Sequence, residues 1–485
     1  MQTNLLIGTD LVPGLGPGIE IIDPATGATA ATVPAASREQ TDAAIMAAAA
    51  AFPGWRDGTQ DERSQALRAI AGDLESERED IAHLLSLDTG RPYLRNLLYV
   101  DFAATVFRQY AELARSLNGT FLPANDPQQF SITTRAPYGV IGVLVPWNYP
   151  LDLLAFKVAP AIATGNTVVV KGAAETTLST LRLAEIFRRR VPGGVVNIVA
   201  GGREVGAKIV SHRGIDMVAF TGSTAAGRTI GRECASLTKP AHLELGGKDP
   251  AIVCSDVDAT IAAQGVVWAA MLNAGQVCTS TERAYVHRSR YDEFVDRAVE
   301  IASALRVGNP LDPETQIGPM RTEAGRNKVR AHVASAVESG ATVLTGGSAL
   351  DRPGFFFQPT VIVDVDHSMD LMREETFGPV LPIMPFDDVD EAFRLAADTE
   401  YGLGASIYTG DPVLVERAVR ELRVGGVWVN DPVVDNPAGL LAGTRASGNG
   451  RELGIEGLHA FTTVRHLHWN LDLVAKPWWY PGGDR

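Results

Sequence analysis

Residues 138–254 carry six short apolar runs: Tyr138-Gly-Val-Ile-Gly-Val-Leu-Val145, Asn166-Thr-Val-Val-Val170, Val195-Val-Asn-Ile-Val199, Ile215-Asp-Met-Val-Ala-Phe220, His242-Leu-Glu-Leu245 and Ala251-Ile-Val-Cys254. Each has the length of a strand, and all but His242 to Leu245 contain β-branched residues. Between them, residues 151–163, 178–190, 204–212 and 224–236 repeat apolar side chains at helical spacing. Strands alternating with helices predict an α/β fold, with a mainly parallel sheet covered on both faces.

A second α/β segment extends from residue 258 to about 426, with helices expected at 258–273, 291–305 and 323–338. Gly, Pro and Asp mark loops near 306 and at 347–354. A chain of 485 residues, 45% of them apolar, is long enough for two or three domains. Net charge is −14, which argues against nucleic acid or an anionic membrane as partner. Three cysteines are too few and too odd in number for a disulfide framework, which favours a reducing compartment. The first ten residues lack the pattern of a secretory signal, and the apolar run at 43–52 is about half the length of a bilayer span. A soluble, cytoplasmic enzyme without a metal site is therefore expected. Arg188, Arg189 and Arg190 close a helical stretch, where cations complement the helix dipole.

The chemistry concentrates in Glu244-Leu-Gly-Gly-Lys-Asp-Pro250 and Gly275-Gln-Val-Cys-Thr-Ser280. Most cysteines are small buried hydrophobes, and Cys234 and Cys254 fit that description. Cys278 stands apart because Gly275, Thr279 and Ser280 leave room and polar groups around its sulfur. Open parallel sheets bind ligands beyond the carboxyl ends of their strands. There, Thr221-Gly-Ser223 opens a helix whose free N–H groups suit a phosphate. Gly222 to Thr229 nearly spells a P-loop, but Arg228 occupies the position of the required Lys, which argues against nucleotide hydrolysis. Gly14-Leu-Gly-Pro-Gly18 has no convincing strand before it and suits a turn.

Together with Asp23-Pro-Ala-Thr-Gly27, Pro146-Trp-Asn-Tyr-Pro150, Phe220-Thr-Gly-Ser223, Glu374-Glu-Thr-Phe-Gly-Pro379 and Ser447-Gly-Asn-Gly-Arg-Glu-Leu-Gly454, these stretches resemble the NAD(P)-dependent aldehyde dehydrogenase superfamily over nearly the whole chain. The resemblance implies a Rossmann-like dinucleotide-binding domain at 1–117 and 140–246. It also implies an α/β catalytic domain at 247–446 and a small β oligomerisation element at 118–139 and 466–485. Cys278 would attack the aldehyde carbon, and Asn148 and the Cys278 N–H would hold the oxyanion. Glu244 would activate water to hydrolyse the thioester. Lys157 matches a family lysine near the active site. Val145, Pro146 and Trp147 would line the cofactor with backbone, Lys171 would bond the adenosine ribose, and Gly222 with Ser223 would meet the pyrophosphate. Glu375 would hold the nicotinamide ribose, and Phe377 would flank the nicotinamide.

Two departures bear on specificity. Many NAD-preferring relatives read Lys-Pro-Ser-Glu where this chain has Lys171-Gly-Ala-Ala174, so Ala174 cannot accept from a ribose hydroxyl or repel a 2′-phosphate; Glu175, one residue on, is the substitute that favours NAD and leaves NADP open. Leu440-Leu-Ala-Gly443 replaces Pro-Phe-Gly-Gly, removing an aromatic at the aldehyde entrance. A CoA-acylating semialdehyde dehydrogenase is the competing activity, although those relatives commonly lack the deacylating Glu. A catalytically retired scaffold is the competing non-enzyme. The aromatic tail Lys476-Pro-Trp-Trp-Tyr-Pro481 suggests a subunit contact, in keeping with a homodimer or homotetramer.

Overall fold

The computed structural model describes residues 2–476, 478 and 479. Two seven-stranded sheets form its framework. In the first, Ala241–Glu244, Met217–Thr221, Val140–Leu144, Thr167–Lys171 and Val196–Val199 lie side by side and parallel. Leu5–Ile7 and Asp10–Val12 extend this sheet antiparallel, so a strand does precede the Gly14 to Gly18 turn. Three-residue strands carry too little periodicity to be read locally; Leu5 and Leu6 join the sheet because the core buries them.

Strand order reverses at Val140–Leu144, whose neighbours come from later in the chain on both sides. That is the topological switch point, where a crevice opens beyond the carboxyl ends of the strands. The turns at its mouth hold Pro146, Trp147 and Asn148 from one strand and Gly222 and Ser223 from the next.

The second sheet runs in the order Thr342–Thr345, Thr360–Val363, Val380–Phe386, Thr281–His287, Asp249–Val253, Gly404–Tyr408 and Gly426–Val429, parallel except at the first pairing. Its core and that of the first sheet are separate clusters of Ala, Val, Ile, Leu and Phe. The chain leaves the carboxyl end of the first sheet at Glu244 and enters the amino end of the second at Asp249, with only four residues between them. A third, three-stranded antiparallel sheet pairs Thr120–Leu122 with Gln129–Pro137 and Gln129–Pro137 with Thr462–Asn470. It leaves Phe121, Val464, Leu467 and Trp469 exposed. The tail from Lys476 onward is described only at residues 476, 478 and 479; the remainder of that expected contact lies outside the described residues.

Candidate active site

The helix Pro150–Ala163 explains how Asn148 is held. Pro150 supplies the preset φ of a first helical residue, and the whole helix is buried, as a sequence apolar at all positions but Asp152 and Lys157 demands. Asn148, just before it, is buried and donates from Nδ2 to the Gln276 carbonyl at 3.1 Å. An Asn amide carries two N–H donors, so one is left over from the bond to Gln276, two residues before Cys278.

Cys278 is partly exposed between the buried neighbours Val277 and Thr279. Its approach is an unusual run of backbone, with Asn273 (φ 51°), Ala274 (φ 54°) and Gly275 (φ 71°) all left-handed. Strain of this kind persists only where surrounding structure fixes it. Asn273 Nδ2 donates to the Asn148 carbonyl, and Gln276 Oε1 accepts from the Arg321 N–H at 2.8 Å. A Cβ on Gly275 would lie 2.0 Å from the Gly378 carbonyl oxygen. Gly275 therefore serves close packing against the Phe377-Gly378 turn, not access to the sulfur. Ser280, also expected to bond around the sulfur, points its hydroxyl at the Ala269 carbonyl at 3.0 Å. Burial pushes the Cys278 thiol well above its ordinary value, and the carboxyls of Asp435, Asp249, Glu244 and Glu375 add to that.

Glu244 ends its strand beside Thr221 and lends its carbonyl to the Gly222 N–H at 3.1 Å. The segment that follows Ser447 wraps the same strand: Gly450 N–H and Asn449 N–H both donate to the Leu243 carbonyl. A Cβ on Gly450 would stand 2.4 Å from Glu244 Oε1, so that glycine lets the carboxyl fit. Glu244 is buried and its Oε1 has no partner among the described residues. Burial raises its pKa well above the ordinary carboxylate value, Glu452 adds to the rise, and Lys157 opposes it.

Lys157 sits in the middle of the buried helix, bonded to Thr221 Oγ1 and ion-paired with Glu452. Both charged groups are fully buried, and His242 Nε2 lies 3.7 Å from the same carboxylate. Burial pushes the Glu452 carboxyl up, but Lys157 and His242 outweigh it and hold it below the usual range. Two carboxyls thus share one lysine and titrate in opposite directions. Glu452 lies inside the quoted Ser447 to Gly454 stretch and was not singled out there. The signal was Lys157 itself, since a buried ammonium in an apolar helix requires an acidic partner.

The groups expected to meet a dinucleotide lie at the carboxyl ends of the first sheet's strands and on the Glu374 to Pro379 stretch, which reaches them through Phe377 and Trp147. Val145 is buried and donates its N–H to the Lys171 carbonyl, while Pro146 and Trp147 are partly exposed. Lys171 Nζ donates to the carbonyls of Gly172 and Gly201, and burial lowers its pKa to about 8 against the pull of Glu175. Ser223 caps the helix Thr224–Ser236, its hydroxyl accepting from the Ala226 N–H and leaving earlier N–H groups of that turn for an anion. Arg228 instead pairs with Glu400. Arg189 and Arg190 do more than complement a dipole, because both bind Asp73.

Glu375 lies against Gly246 and Gly247 and accepts from the Gly247 N–H at 3.1 Å. Burial pushes its carboxyl up to about 7, with Glu282 adding. Phe377 adopts φ 56°, and its ring meets Trp147 edge-on at 5.6 Å. That rare backbone is held by Glu282, which accepts from the N–H groups of Thr376 (2.7 Å) and Phe377 (2.8 Å) while paired with the buried Lys248. An acid, an ammonium, a helix start and an aromatic pair are the kinds of group that a nicotinamide dinucleotide needs.

The aldehyde dehydrogenase family model matches residues 13–467. The chain is 39% identical to the mitochondrial aldehyde dehydrogenase of Leishmania tarentolae, covering 98% of this chain and 97% of that protein. It is 36% identical to the NADP(+) succinate-semialdehyde dehydrogenase of Escherichia coli (strain K12), covering 96% and 97%. Among solved structures, the NAD+ complex of an aldehyde dehydrogenase from Bacillus cereus superposes with a TM-score of 0.95 at 36% identity, covering 97% of each chain. The protein belongs to the aldehyde dehydrogenase family. Among the described residues, no helix is long and apolar enough to cross a membrane, and no cluster of His, Cys, Asp or Glu is arranged to hold a metal ion.

Proposed function

We propose that the protein oxidises an aldehyde and water to a carboxylic acid through a thioester on Cys278, with NAD or NADP as the oxidant. The observation that carries this reading is that Asn148 bonds the carbonyl of Gln276, two residues before Cys278, while Glu244, buried with an unpartnered Oε1, is near enough for its charge to reach the Cys278 sulfur.

The thiol is held neutral by its surroundings, so attack on the aldehyde needs a base to take its proton; Glu244, whose charge reaches the sulfur, suits that task. As Sγ bonds to the carbonyl carbon, the free Asn148 amide proton and the Cys278 N–H stabilise the oxyanion. The dinucleotide, when bound, supplies a hydride acceptor. Loss of hydride leaves a thioester on Cys278. Glu244, having released the thiol proton to solvent, then takes a proton from water, which adds to the thioester carbon; the C–S bond breaks with the sulfur leaving as thiolate, the Glu244 proton returns to it, and the acid departs. The charges of Glu452 and Lys157 both reach Glu244, the first favouring its protonated form and the second its carboxylate, and so tune how readily it gives up and takes a proton.

Lys171, Ser223 with the N–H groups after Gly222, Glu375 and Phe377 serve the dinucleotide in the order adenosine ribose, pyrophosphate, nicotinamide ribose and nicotinamide ring. NAD is favoured through Glu175. The exposed apolar residues of the three-stranded sheet support a homodimer or homotetramer, and the three unpaired cysteines suit a cytoplasmic setting.

The test is formation of NADH or NADPH over an aldehyde panel, with and without CoA, by wild type and Cys278→Ala. Turnover without CoA that vanishes in Cys278→Ala is expected. An absolute need for CoA would replace hydrolysis by acylation, and silence on every aldehyde would favour a retired scaffold.

A further inference from the structure

The turn that follows Lys171 is pinned from two sides. Thr177 Oγ1 donates to the carbonyls of Ala173 and Ala174 at 3.2 and 2.9 Å, and Thr180 Oγ1 donates to that of Thr176 at 3.1 Å. The Glu175 carbonyl between them accepts from Arg321 Nη2, 146 residues away in the chain. The main-chain N–H of the same Arg321 donates to Gln276 Oε1 at 2.8 Å, two residues before Cys278. One residue thus holds the Glu175 turn by its side chain and the nucleophile loop by its backbone.

Arg321 stands on a segment with little freedom. A Cβ on Gly318 would lie 1.8 Å from the Gly90 carbonyl oxygen, one on Gly90 would lie 2.8 Å from Pro319, and the Met320 N–H donates to the Phe355 carbonyl at 2.9 Å. Arg321 is 2% exposed, and the Glu175 carbonyl is the only hydrogen-bond partner of its guanidinium among the described residues. Burial lowers its pKa, and the carboxyls of Asp88, Glu175 and Asp23 offset only part of that. A cation buried for one neutral acceptor adds little stability, so its contribution lies in what it holds in place.

We propose that Arg321 is a positioning residue for the dinucleotide, its guanidinium clamping the turn that carries Lys171 and Glu175 to the segment that also anchors the nucleophile loop. This rests on the dinucleotide placement proposed above and adds the group that keeps it in register. Hydrogen bonds to a ribose tolerate only small displacements of the groups that make them, and the clamp spans the two domains that must agree on the position of the cofactor. Truncating the side chain leaves the main-chain N–H that Gln276 uses. The loss therefore falls on dinucleotide binding more than on the chemical step.

The test measures dinucleotide Kd by quenching of tryptophan fluorescence, with kcat at saturating dinucleotide, for wild type, Arg321→Met, Arg321→Gln, Arg321→Lys and Lys171→Met. Arg321→Met should raise Kd about ten-fold while kcat falls by no more than about three-fold. Arg321→Gln, whose shorter side chain falls short of Glu175, should do the same and serves where Arg321→Met does not fold. Arg321→Lys keeps a long cationic donor and should recover part of the affinity. An unchanged Kd in the Met and Gln variants beside a raised one in Lys171→Met would overturn the assignment and leave the dinucleotide placement standing. A fall in kcat as large as the rise in Kd, with no recovery in Arg321→Lys, would reduce Arg321 to a structural role and overturn it equally. An unchanged Kd in Lys171→Met would instead remove the placement on which the inference rests.

Discussion

Lys157 and Glu452, 295 residues apart in sequence, meet as an ion pair with no solvent exposure on either side chain. Removing one partner strands the other charge in the core. Lys157→Met should therefore cost about 3–5 kcal/mol, and Lys157→Met with Glu452→Leu should recover part of it. The sign with pH follows from Glu452, whose folded carboxyl lies below its ordinary value of 4.5. Its stabilisation is present above that value and is lost as pH falls through the lower folded one. Denaturant unfolding of wild type and Glu452→Gln should show a gap at pH 7 that narrows in acid; a constant gap would contradict the pairing.

Dinucleotide affinity should peak between about pH 7 and 8. Glu375, raised to about 7, accepts best once ionised, so affinity climbs as pH rises through that value. Lys171, lowered to about 8, loses its charge above it, so affinity then declines. Titration by tryptophan fluorescence from pH 6 to 9.5 reads this directly. Glu375→Gln should flatten the acid limb and leave the alkaline one, whereas a wild-type profile that only rises would speak against Lys171 and one that only falls against Glu375.

Gly275→Ala should disable the enzyme without touching any reacting group. Its φ is 71°, and the new Cβ would lie 2.0 Å from the Gly378 oxygen. The loop must then shift and carry Cys278 with it, at an expected cost of about 2–4 kcal/mol. Loss of turnover together with a lowered Tm is the expected result, and full turnover with an unchanged Tm would contradict the tight packing of Gly275 on Gly378.

The parallel strands of the first sheet were legible because fully buried strands read as apolar runs and their helices keep a regular period. Leu5–Ile7 was not, because a three-residue strand has no period and is defined only by its pairing with Val196–Val199. The nucleophile stood out in sequence, but the use of Gly275 depends on Gly378, more than a hundred residues later. Glu452 and Glu282 were missed for the same reason. Each acts through a distant partner, Lys157 in one case and the Thr376-Phe377 backbone in the other, and sequence spacing does not record such contacts.

The most direct test of the central claim is to trap the intermediate. Glu244→Gln, mixed with aldehyde and oxidised dinucleotide and quenched in acid, should form up to one equivalent of reduced cofactor more slowly than wild type, because the thiol has lost its base, and should then nearly arrest, because deacylation is slowed further. Peptide mass spectrometry should find the acyl group on the peptide containing Cys278. Full steady turnover by the variant, or an acyl group on any other residue, would contradict the mechanism.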